Sequence, residues 1–315
     1  MTLLWLMACA GSDPAPAPTY EGGWHTAEPL LTPLQEHAVV VLDGQAVVIG
    51  GFEPPFNTTT RVEAYDPVSD SWSSLADLPD KVHHAQAAVV DGSVYLLGTL
   101  EGLTMSAVAV AWVLDPGAQS WAEITPLPAG FERGGGAAVA LDGRIHVVGG
   151  LRGGEAVAEH HVYDPLDDSW QALASMDRVR DHLGAVALDG LVYAVGGRAG
   201  SIGSHTDSVA SYDPVSDAWT ELAPMPTSRG GLAVAVLDGL IYAFGGEGND
   251  DAESGVFPQA QAYDPATDAW VELPDMPVPR HGLGAAAIDG RIFLPGGGDT
   301  ESLGVVDTHE VYVPD

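Results

Sequence analysis

Four arginines in this 315-residue chain share one position relative to an Asp-Gly pair. Each stands nine residues before that Asp, and the four are Arg133, Arg180, Arg229 and Arg280. A guanidinium presents a planar fork of N–H donors that matches a carboxylate, so the set predicts a surface selective for carboxylates, sugar acids or acidic peptides. The alternative is that each arginine binds backbone carbonyls or a neighbouring acid and serves the fold.

Acidic and imidazole side chains lie within two residues of these arginines. They are Glu132, Asp181, His182 and His281. An acid and a base beside an anion-binding arginine are the groups that general acid–base catalysis needs. Because acids and histidines are common on any protein surface, the sequence predicts ligand contacts for all eight residues and assigns none of them as catalytic.

The charge balance of the chain is strongly acidic, with 44 Asp+Glu against 11 Lys+Arg and a formal net charge of −33 at pH 7. Nucleic-acid binding requires a basic surface that displaces phosphate counterions, so this balance argues against a nucleic-acid partner. Anionic membrane surfaces are disfavoured by the same repulsion. Hydrophobic residues make up 46%, which is enough for a packed core and excludes a disordered chain.

No metal or cofactor site is predicted from residue spacing. The single Cys excludes an internal disulfide and a Cys-rich zinc site. The adjacent pairs His83-His84 and His160-His161 are expected to point to opposite faces of a strand, as packing or surface residues. The acidic segment 247–253 lacks the ligand spacing of an EF-hand and is predicted to be a solvated loop.

The first 22 residues are predicted to be a targeting signal followed by a linker. Residues 1–9 resemble a bacterial lipoprotein signal, in which Leu6-Met7-Ala8 precede a lipid-bearing Cys9. Residues 10–22 form a linker rich in Pro and Ala. These features predict a lipid-anchored protein of the cell envelope or exterior, which touches the membrane only through its lipid. Since no Lys or Arg precedes the apolar run, a cytosolic protein with an apolar end is the alternative.

An internal repeat organises the rest of the chain. Tryptophans at positions 24, 72, 121, 170, 219 and 270 recur every 48 to 51 residues. Asp-Gly pairs begin at 43, 91, 142, 189, 238 and 289, and a Gly pair follows seven residues later in all copies but the second, which has Gly98-Thr99. Asp-Gly between apolar runs favours a two-residue hairpin, and paired Gly marks a close backbone approach. Each copy is therefore predicted to form four antiparallel strands, a to d.

The order of paired Gly, Tyr-Asp-Pro and Trp resembles the kelch repeat, with Tyr-Asp-Pro starting at Tyr65, Tyr163, Tyr212 and Tyr263. The resemblance covers residues 23–315 in six copies and implies an all-β, six-bladed kelch-type β-propeller. Trp24 has the position of a d strand with no strands before it, and the last copy ends after strand c. We therefore expect the N-terminal strand to complete the last blade and close the ring.

Antiparallel strands place the two kinds of connection on opposite faces of such a ring. The Asp-Gly and Asp-Pro turns share one face, the turn face. The b–c and d–a connections, which vary in length and composition, share the other, the loop face. Because variable loops on a rigid scaffold usually carry binding, we expect the ligand on the loop face, where the four arginines begin strand a.

The resemblance implies an extracytoplasmic binding or scaffold module for a protein, peptide or carbohydrate ligand. The alternative is a sugar-acid mutarotase similar to the bacterial N-acetylneuraminate epimerase. Copper chemistry of the galactose-oxidase type needs a Tyr crosslinked to Cys, and the one Cys lies in the predicted leader, so no cofactor is expected. An enzyme requires arginine, acid and histidine to converge in one pocket, whereas a broad open mouth favours binding.

Overall fold

A computed structural model of the chain describes residue 18 and residues 20–115, 117 and 119–315. Six antiparallel sheets surround a central channel, and the innermost strand of each contacts the innermost strands of both neighbours, so the ring is closed. This confirms the predicted six-bladed propeller. The predicted lipidation residue Cys9 and the rest of the leader lie outside the described residues. Among the described residues, no helix is long and apolar enough to cross a membrane.

Strands a to d of each blade run in order from the channel to the rim. The bounds of strands a to d are Ala38–Leu42, Gln45–Ile49, Val62–Asp66 and Ser71–Ser74 in blade 1, and His83–Val90, Ser93–Glu101, Trp112–Asp115 and Ser120–Glu123 in blade 2. They are Ala137–Leu141, Arg144–Val148, His160–Asp164 and Ser169–Leu173 in blade 3, and Gly184–Leu188, Leu191–Val195, Val209–Asp213 and Ala218–Glu221 in blade 4. In blade 5 they are Ala233–Leu237, Leu240–Phe244, Ala260–Asp264 and Ala269–Glu272.

Blade 6 combines the two ends of the described chain. Its strands a, b and c are Ala286–Ile288, Arg291–Pro295 and His309–Val313, and its strand d is Gly23–Thr26. Trp24 lies opposite Tyr312 in this last antiparallel pair. The predicted closure by the N-terminal strand is confirmed, and it leaves no unpaired sheet edge inside the ring.

The b–c connections carry the irregular elements of the fold. Short hairpins form in blades 1 and 3, blade 2 gains a fifth strand, and blade 4 has one 3₁₀ turn. The hairpins are Phe52–Glu53 with Asn57–Thr58 in blade 1 and Leu151–Arg152 with Glu155–Ala156 in blade 3. The fifth strand of blade 2 is Ser106–Val108, and the 3₁₀ turn of blade 4 is Ile202–Ser204. The loop face therefore differs from blade to blade, as expected.

The Asp-Gly turns have the geometry that their sequence predicts. In all six, the Asp has φ of 49–51° and the Gly has φ of 74–79°. Two successive residues with positive φ make the type I′ turn, whose twist matches that of the paired strands. The Gly pair serves close approach: a Cβ at Gly246 would lie 2.8 Å from the Gly230 carbonyl oxygen of the neighbouring d–a connection.

The repeated tryptophans join each blade to the one before it. Every indole Nε1 donates to a backbone carbonyl at the end of the preceding blade, over 2.8–3.0 Å. The six bonds run from Trp24 to Pro274, Trp72 to Glu28, Trp121 to Ala76, Trp170 to Thr125, Trp219 to Ala174 and Trp270 to Ala223. Together with apolar clusters between the sheets, these bonds make a rigid frame for the channel mouth.

Candidate functional site

The loop-face mouth of the channel is bounded by a ring of six residues, one from each blade. This mouth ring consists of the residues that stand seven positions before each Asp-Gly pair: Glu36, His84, Gly135, His182, Gly231 and Gly282. The N–H of each residue donates to the carbonyl of the ring residue one blade back, over 2.6–2.9 Å, and the bond from Glu36 to Gly282 closes the circle. Six backbone hydrogen bonds thus fix the diameter of the mouth.

Every residue of the mouth ring has a left-handed backbone conformation, with φ between 50° and 66°. Glycine adopts this conformation freely, and three blades use glycine. A residue with a Cβ loses roughly 1–2 kcal/mol there. Glu36, His84 and His182 therefore stand at positions where the backbone favours glycine, and strain of this kind concentrates at functional sites.

The three side chains of the mouth ring converge above the channel axis. The Nε2 atoms of His84 and His182 are 2.9 Å apart, and Glu36 Oε2 lies 3.2 Å from His84 Nε2. Taking one donor atom from each residue, all three lie within 4.8 Å of one another. Burial holds the pKa of His84 well below its usual value, so this imidazole is neutral.

A buried network of charges supports His182 from outside the ring. His182 Nδ1 donates to Asp181 Oδ1 over 2.6 Å, and Arg198 Nη2 donates to His182 Nε2 over 3.0 Å. The Arg198 guanidinium also donates to Asp181 Oδ1 over 3.0 Å and to Glu247 Oε1. Two carboxylates thus hold one guanidinium and orient one imidazole.

His281 extends the same network to Glu36. Its Nδ1 lies 3.6 Å from Glu36 Oε1 and 3.5 Å from Glu247 Oε2, and its Nε2 donates to the Thr300 carbonyl over 3.0 Å. Burial alone lowers the pKa of His281, but the close approach of the Glu36 carboxylate and the charge of Glu247 raise it above its ordinary value. Burial has the opposite effect on Glu36 and raises its pKa, while the approach of His281 lowers it.

A cavity of about 260 Å³ opens above this network and forms a funnel on the loop face. Its floor is charged and includes Glu36, His182, Arg198 and Glu247. Its walls are apolar and come from different blades: Phe52, Leu103, Met105, Ile202 and Leu303. A concave site with apolar walls and a few converging polar groups is the usual form of a ligand site.

The four repeated arginines do not form the ligand-binding rim expected of them. Each is at most 2% exposed, and its guanidinium turns into its own blade to donate to backbone carbonyls. Arg133 donates to Gly149 and Val147 over 2.8 and 3.0 Å, while Arg280 also pairs with Glu310 over 2.7 Å. This corrects the prediction for Arg133, Arg180, Arg229 and Arg280 in favour of the architectural alternative.

The structure divides the other candidates from the sequence. It brings Asp181, His182 and His281 together at the mouth, within the network described above. Glu132 lies outside that network, on the connection before blade 3, where its carboxylate accepts from the Gly130 N–H over 2.8 Å. The prediction that His83 and His84 point apart is wrong, because the left-handed φ of His84 turns the two imidazoles together, with 2.5 Å between their Nδ1 atoms.

Sequence reasoning missed Glu36, Arg198 and Glu247. Glu36 stands in the same repeat position as His84 and His182, which an alignment on Asp-Gly would have shown. Arg198 and Glu247 each follow a Gly pair directly, where blades 1 and 3 carry Phe52 and Leu151. Departure from the repeat at these two positions was the available signal.

Comparisons with known proteins agree with this architecture. The family model for the Kelch motif matches residues 33–79, 132–177, 180–226 and 228–277. The Kelch-like protein terF of Aspergillus terreus is 33% identical over 90% of this chain and 66% of its own length. Human Kelch-like protein 23 is 27% identical over 85% of this chain and 46% of its own length. Human Kelch repeat and BTB domain-containing protein 12 is 27% identical over 48% of this chain and 28% of its own.

The chain spans two thirds or less of the length of these relatives, and the similarity lies in the repeats themselves. Motif matches in four of the six blades, together with a relative that covers 90% of this chain, agree with the paired Gly of five copies, the Tyr-Asp-Pro of four and the Trp of all six. The chain therefore belongs to the kelch-repeat family.

Proposed function

We propose that this propeller is a binding module that holds a protein partner in the loop-face funnel. Kelch-repeat propellers are typically protein-binding scaffolds. The proposal concerns the loop-face surface and the chemistry that this surface offers to a partner.

The observation that carries the proposal is the set of exposed apolar side chains around the charged floor. Leu103 is 74% exposed and Leu303 is 44% exposed, although both are large hydrophobic residues. Phe56, at the tip of the blade 1 hairpin on the same face, is 41% exposed. Apolar groups rimmed by polar ones mark interaction surfaces, and a few such anchors supply most of the binding free energy.

The floor of the funnel limits which charges the partner brings. The four repeated arginines are buried, so an acidic group of the partner has to compete with Asp181 and Glu247 for Arg198. We propose that apolar anchors provide the affinity and that preference for an anionic ligand acts through Arg198, the arginine in the floor of the funnel.

A pair of double variants tests the location of the partner site. Leu103→Glu with Leu303→Glu changes the funnel, and Leu166→Glu with Val215→Glu is the matched control on the turn face, where these residues are 90% and 94% exposed. Wild type and control are expected to retain the same partner from an extract of source cells, as quantified by mass spectrometry. The funnel variant is expected to retain at least tenfold less. Equal retention by all three proteins would contradict the proposal.

The extracytoplasmic, lipid-anchored setting is a separate proposal, supported by the Leu-Met-Ala-Cys sequence that ends at Cys9. Replacement of Cys9 by Ser is expected to move the protein from the membrane fraction to the soluble fraction and to abolish labelling by a fatty-acid analogue. An unchanged distribution and the absence of label in wild type would remove this proposal.

A sugar-acid mutarotase is the second candidate, favoured by the convergence of Arg198, Asp181 and His182 below a cavity of about 260 Å³. An arginine, an acid and a histidine within hydrogen-bond reach are the groups that ring opening of a sugar acid requires. The test is anomer exchange of N-acetylneuraminate measured by NMR, which should accelerate with wild type and not with Arg198→Ala. No acceleration at high protein concentration would eliminate this candidate.

A further inference from the structure

We propose that Glu36, His84 and His182 of the mouth ring bind one divalent transition-metal ion. Two imidazole nitrogens and one carboxylate oxygen are a ligand set that suits Zn²⁺ and related ions. The site is carried by the geometry of the ring and is independent of the protein partner proposed above.

The distances between the donor atoms fit a single ion. An ion about 2.1 Å from each donor, with angles of about 90–109° between them, places donor atoms roughly 3.0–3.4 Å apart. His84 Nε2 is 2.9 Å from His182 Nε2 and 3.2 Å from Glu36 Oε2. The donor atoms of the third pair, Glu36 and His182, lie within 4.8 Å of each other, so a rotation of the Glu36 side chain toward His182 completes the site.

The hydrogen bond from His182 to Asp181 leaves the lone pair on Nε2, the nitrogen that a metal at the mouth would take. Asp181 Oδ1 accepts the Nδ1–H of His182 over 2.6 Å, and Asp181 is itself held by Arg198 and by the Gly200 N–H. A carboxylate on one imidazole nitrogen fixes the tautomer, orients the ring and directs the lone pair of the other nitrogen to the metal. The lone pair of His182 Nε2 thus points into the mouth.

The hydrogen bonds of His84 lead to the same result through a second histidine. His83 Nε2 lies 2.9 Å from the Gly102 carbonyl oxygen, which accepts only, so Nε2 carries the proton and His83 Nδ1 is an acceptor. His84 Nδ1 then donates to His83 Nδ1 over 2.5 Å. The lone pair of His84 Nε2 is left facing His182 Nε2 over 2.9 Å, and a metal ion bound by both nitrogens would remove the repulsion between them.

The charges around the ring accommodate a dication. The carboxylates of Glu36, Asp181 and Glu247 converge on this network, and the guanidinium among these groups is that of Arg198. In this structure Arg198 Nη2 donates to His182 Nε2 over 3.0 Å. A metal ion takes over that lone pair, and Arg198 keeps its bonds to Asp181 and Glu247. The remaining coordination positions open into the funnel.

The composition of the mouth ring supports the site independently of these bonds. A Cβ at Gly135 would touch His84 and His182, each at 3.5 Å, and one at Gly282 would collide with the Glu36 carboxylate. Gly135 and Gly282 thus lack a side chain where it would approach the proposed ligands, whereas a Cβ at Gly231 would meet Glu247 and His281, each at 3.6 Å. Three of the six positions supply ligands, and two of the three glycines leave room for them.

Titration of the full-length, chelator-treated protein with ZnCl₂ in a calorimeter tests the proposal. We expect one ion per chain with a dissociation constant in the micromolar range or below. His84→Gly and His182→Gly install the residue that three other blades carry at this position, so both variants should fold, and each should weaken binding at least 100-fold. His205→Ala, which removes a loop-face histidine bonded to Ser228, is the matched control and should bind like wild type.

Cobalt spectroscopy identifies the ligands in the same protein. Bound Co²⁺ should give visible absorption typical of imidazole and carboxylate ligands, which both glycine variants should lose and His205→Ala should keep. Failure of wild type to bind ZnCl₂ below about 100 μM would overturn the proposal and leave the two lone pairs bridged by a proton. Binding that survives in either glycine variant, or that is lost in His205→Ala, would also overturn it.

Discussion

The two faces of the propeller use acidic residues in opposite ways. On the turn face, the same aspartate in four blades accepts a hydrogen bond from a tyrosine hydroxyl of its own blade and one from a backbone N–H of the preceding blade. These pairs are Tyr65 with Asp70, Tyr163 with Asp168, Tyr212 with Asp217 and Tyr263 with Asp268, over 2.6–2.8 Å. Each of these aspartates thus accepts the same two hydrogen bonds, and both bonds stabilise the fold.

On the loop face, Glu36, Asp181 and Glu247 each contact a different set of side chains. Glu36 approaches two histidines, Asp181 orients His182 and holds Arg198, and Glu247 pairs with Arg198 and approaches His281. At the equivalent positions the other blades carry no acid, but glycine, histidine, glutamine, arginine or an apolar residue. Residues that follow the repeat therefore build the ring, whereas the buried charges that depart from the repeat at the mouth form the candidate site.

The largest expected effect comes from opening the ring. Deletion of residues 305–315 removes strand c of blade 6, to which the N-terminal strand Gly23–Thr26 is paired. Both faces lose their frame, so we expect loss of cooperative thermal unfolding, measured by circular dichroism. A truncated protein that melts like wild type would contradict the closure on which both faces depend.

The next effect separates architectural arginine from surface arginine. Arg180 is buried and donates to the carbonyls of Ala194, Gly196 and Ser208, so Arg180→Ala leaves buried acceptors unsatisfied. We expect its free energy of unfolding in urea to fall by about 3 kcal/mol. The control Arg178→Ala removes a side chain that is 68% exposed, and it should change stability by less than about 0.5 kcal/mol. Equal losses of stability in the two variants would contradict the structural role of Arg180.

The blade interior and the turn face are expected to lose stability over different ranges of pH. Burial lowers the pKa of His160 to about 3, and this imidazole lies 2.8 Å from that of His146. An unfolded histidine titrates near pH 6.5, so the unfolded state takes up the proton first and stability is lost as the pH falls below that value. We expect a loss of about 2 kcal/mol from this residue between pH 7 and pH 5.

Urea unfolding at several pH values checks this expectation. His160→Phe should unfold with a shallower dependence on pH between 7 and 5 than wild type. The turn-face aspartates lose their contribution to stability only near and below pH 4. Hydrogen bonds from the Ala174 N–H and the Tyr212 hydroxyl lower the pKa of Asp217 below 3.8. An identical pH dependence in variant and wild type would show that His160 is not held neutral by burial.

The smallest effect tests whether the turn-face pairs act independently. Each change of Tyr to Phe at positions 65, 163, 212 or 263 removes one hydroxyl bond to an aspartate and should lower the free energy of unfolding by about 1 kcal/mol. Since the pairs lie in different blades, the four losses should add. Losses well short of the sum, measured by urea unfolding, would show that the turn face is as coupled as the loop face.

The fold was predictable because its determinants are local and repeated. Asp43-Gly44 and its five equivalents specify the same turn from two adjacent residues, and Trp24 shows by its position alone that the first strand belongs to the last blade. Six copies of a short pattern leave little choice of architecture.

The candidate site was predictable only in part, because its residues come from separate blades. His182, Asp181 and His281 were found beside the arginines, but the direction of the Arg133 and Arg180 guanidinium groups depends on the carbonyls that strand b presents to them. The meeting of Glu36 with His84 depends on the diameter of the backbone ring and on a left-handed φ, neither of which is written in the spacing of the repeats.

The most direct test of the account is the stability of the triple variant Glu36→Gly, His84→Gly, His182→Gly, which makes the mouth ring six glycines. If these side chains serve the site and strain the fold, the metal-free variant should unfold in urea within about 1 kcal/mol of wild type, because relief of the left-handed strain offsets the lost contacts. A loss of more than about 3 kcal/mol would show that the three side chains hold the ring together, and it would contradict the division between repeated structure and irregular function.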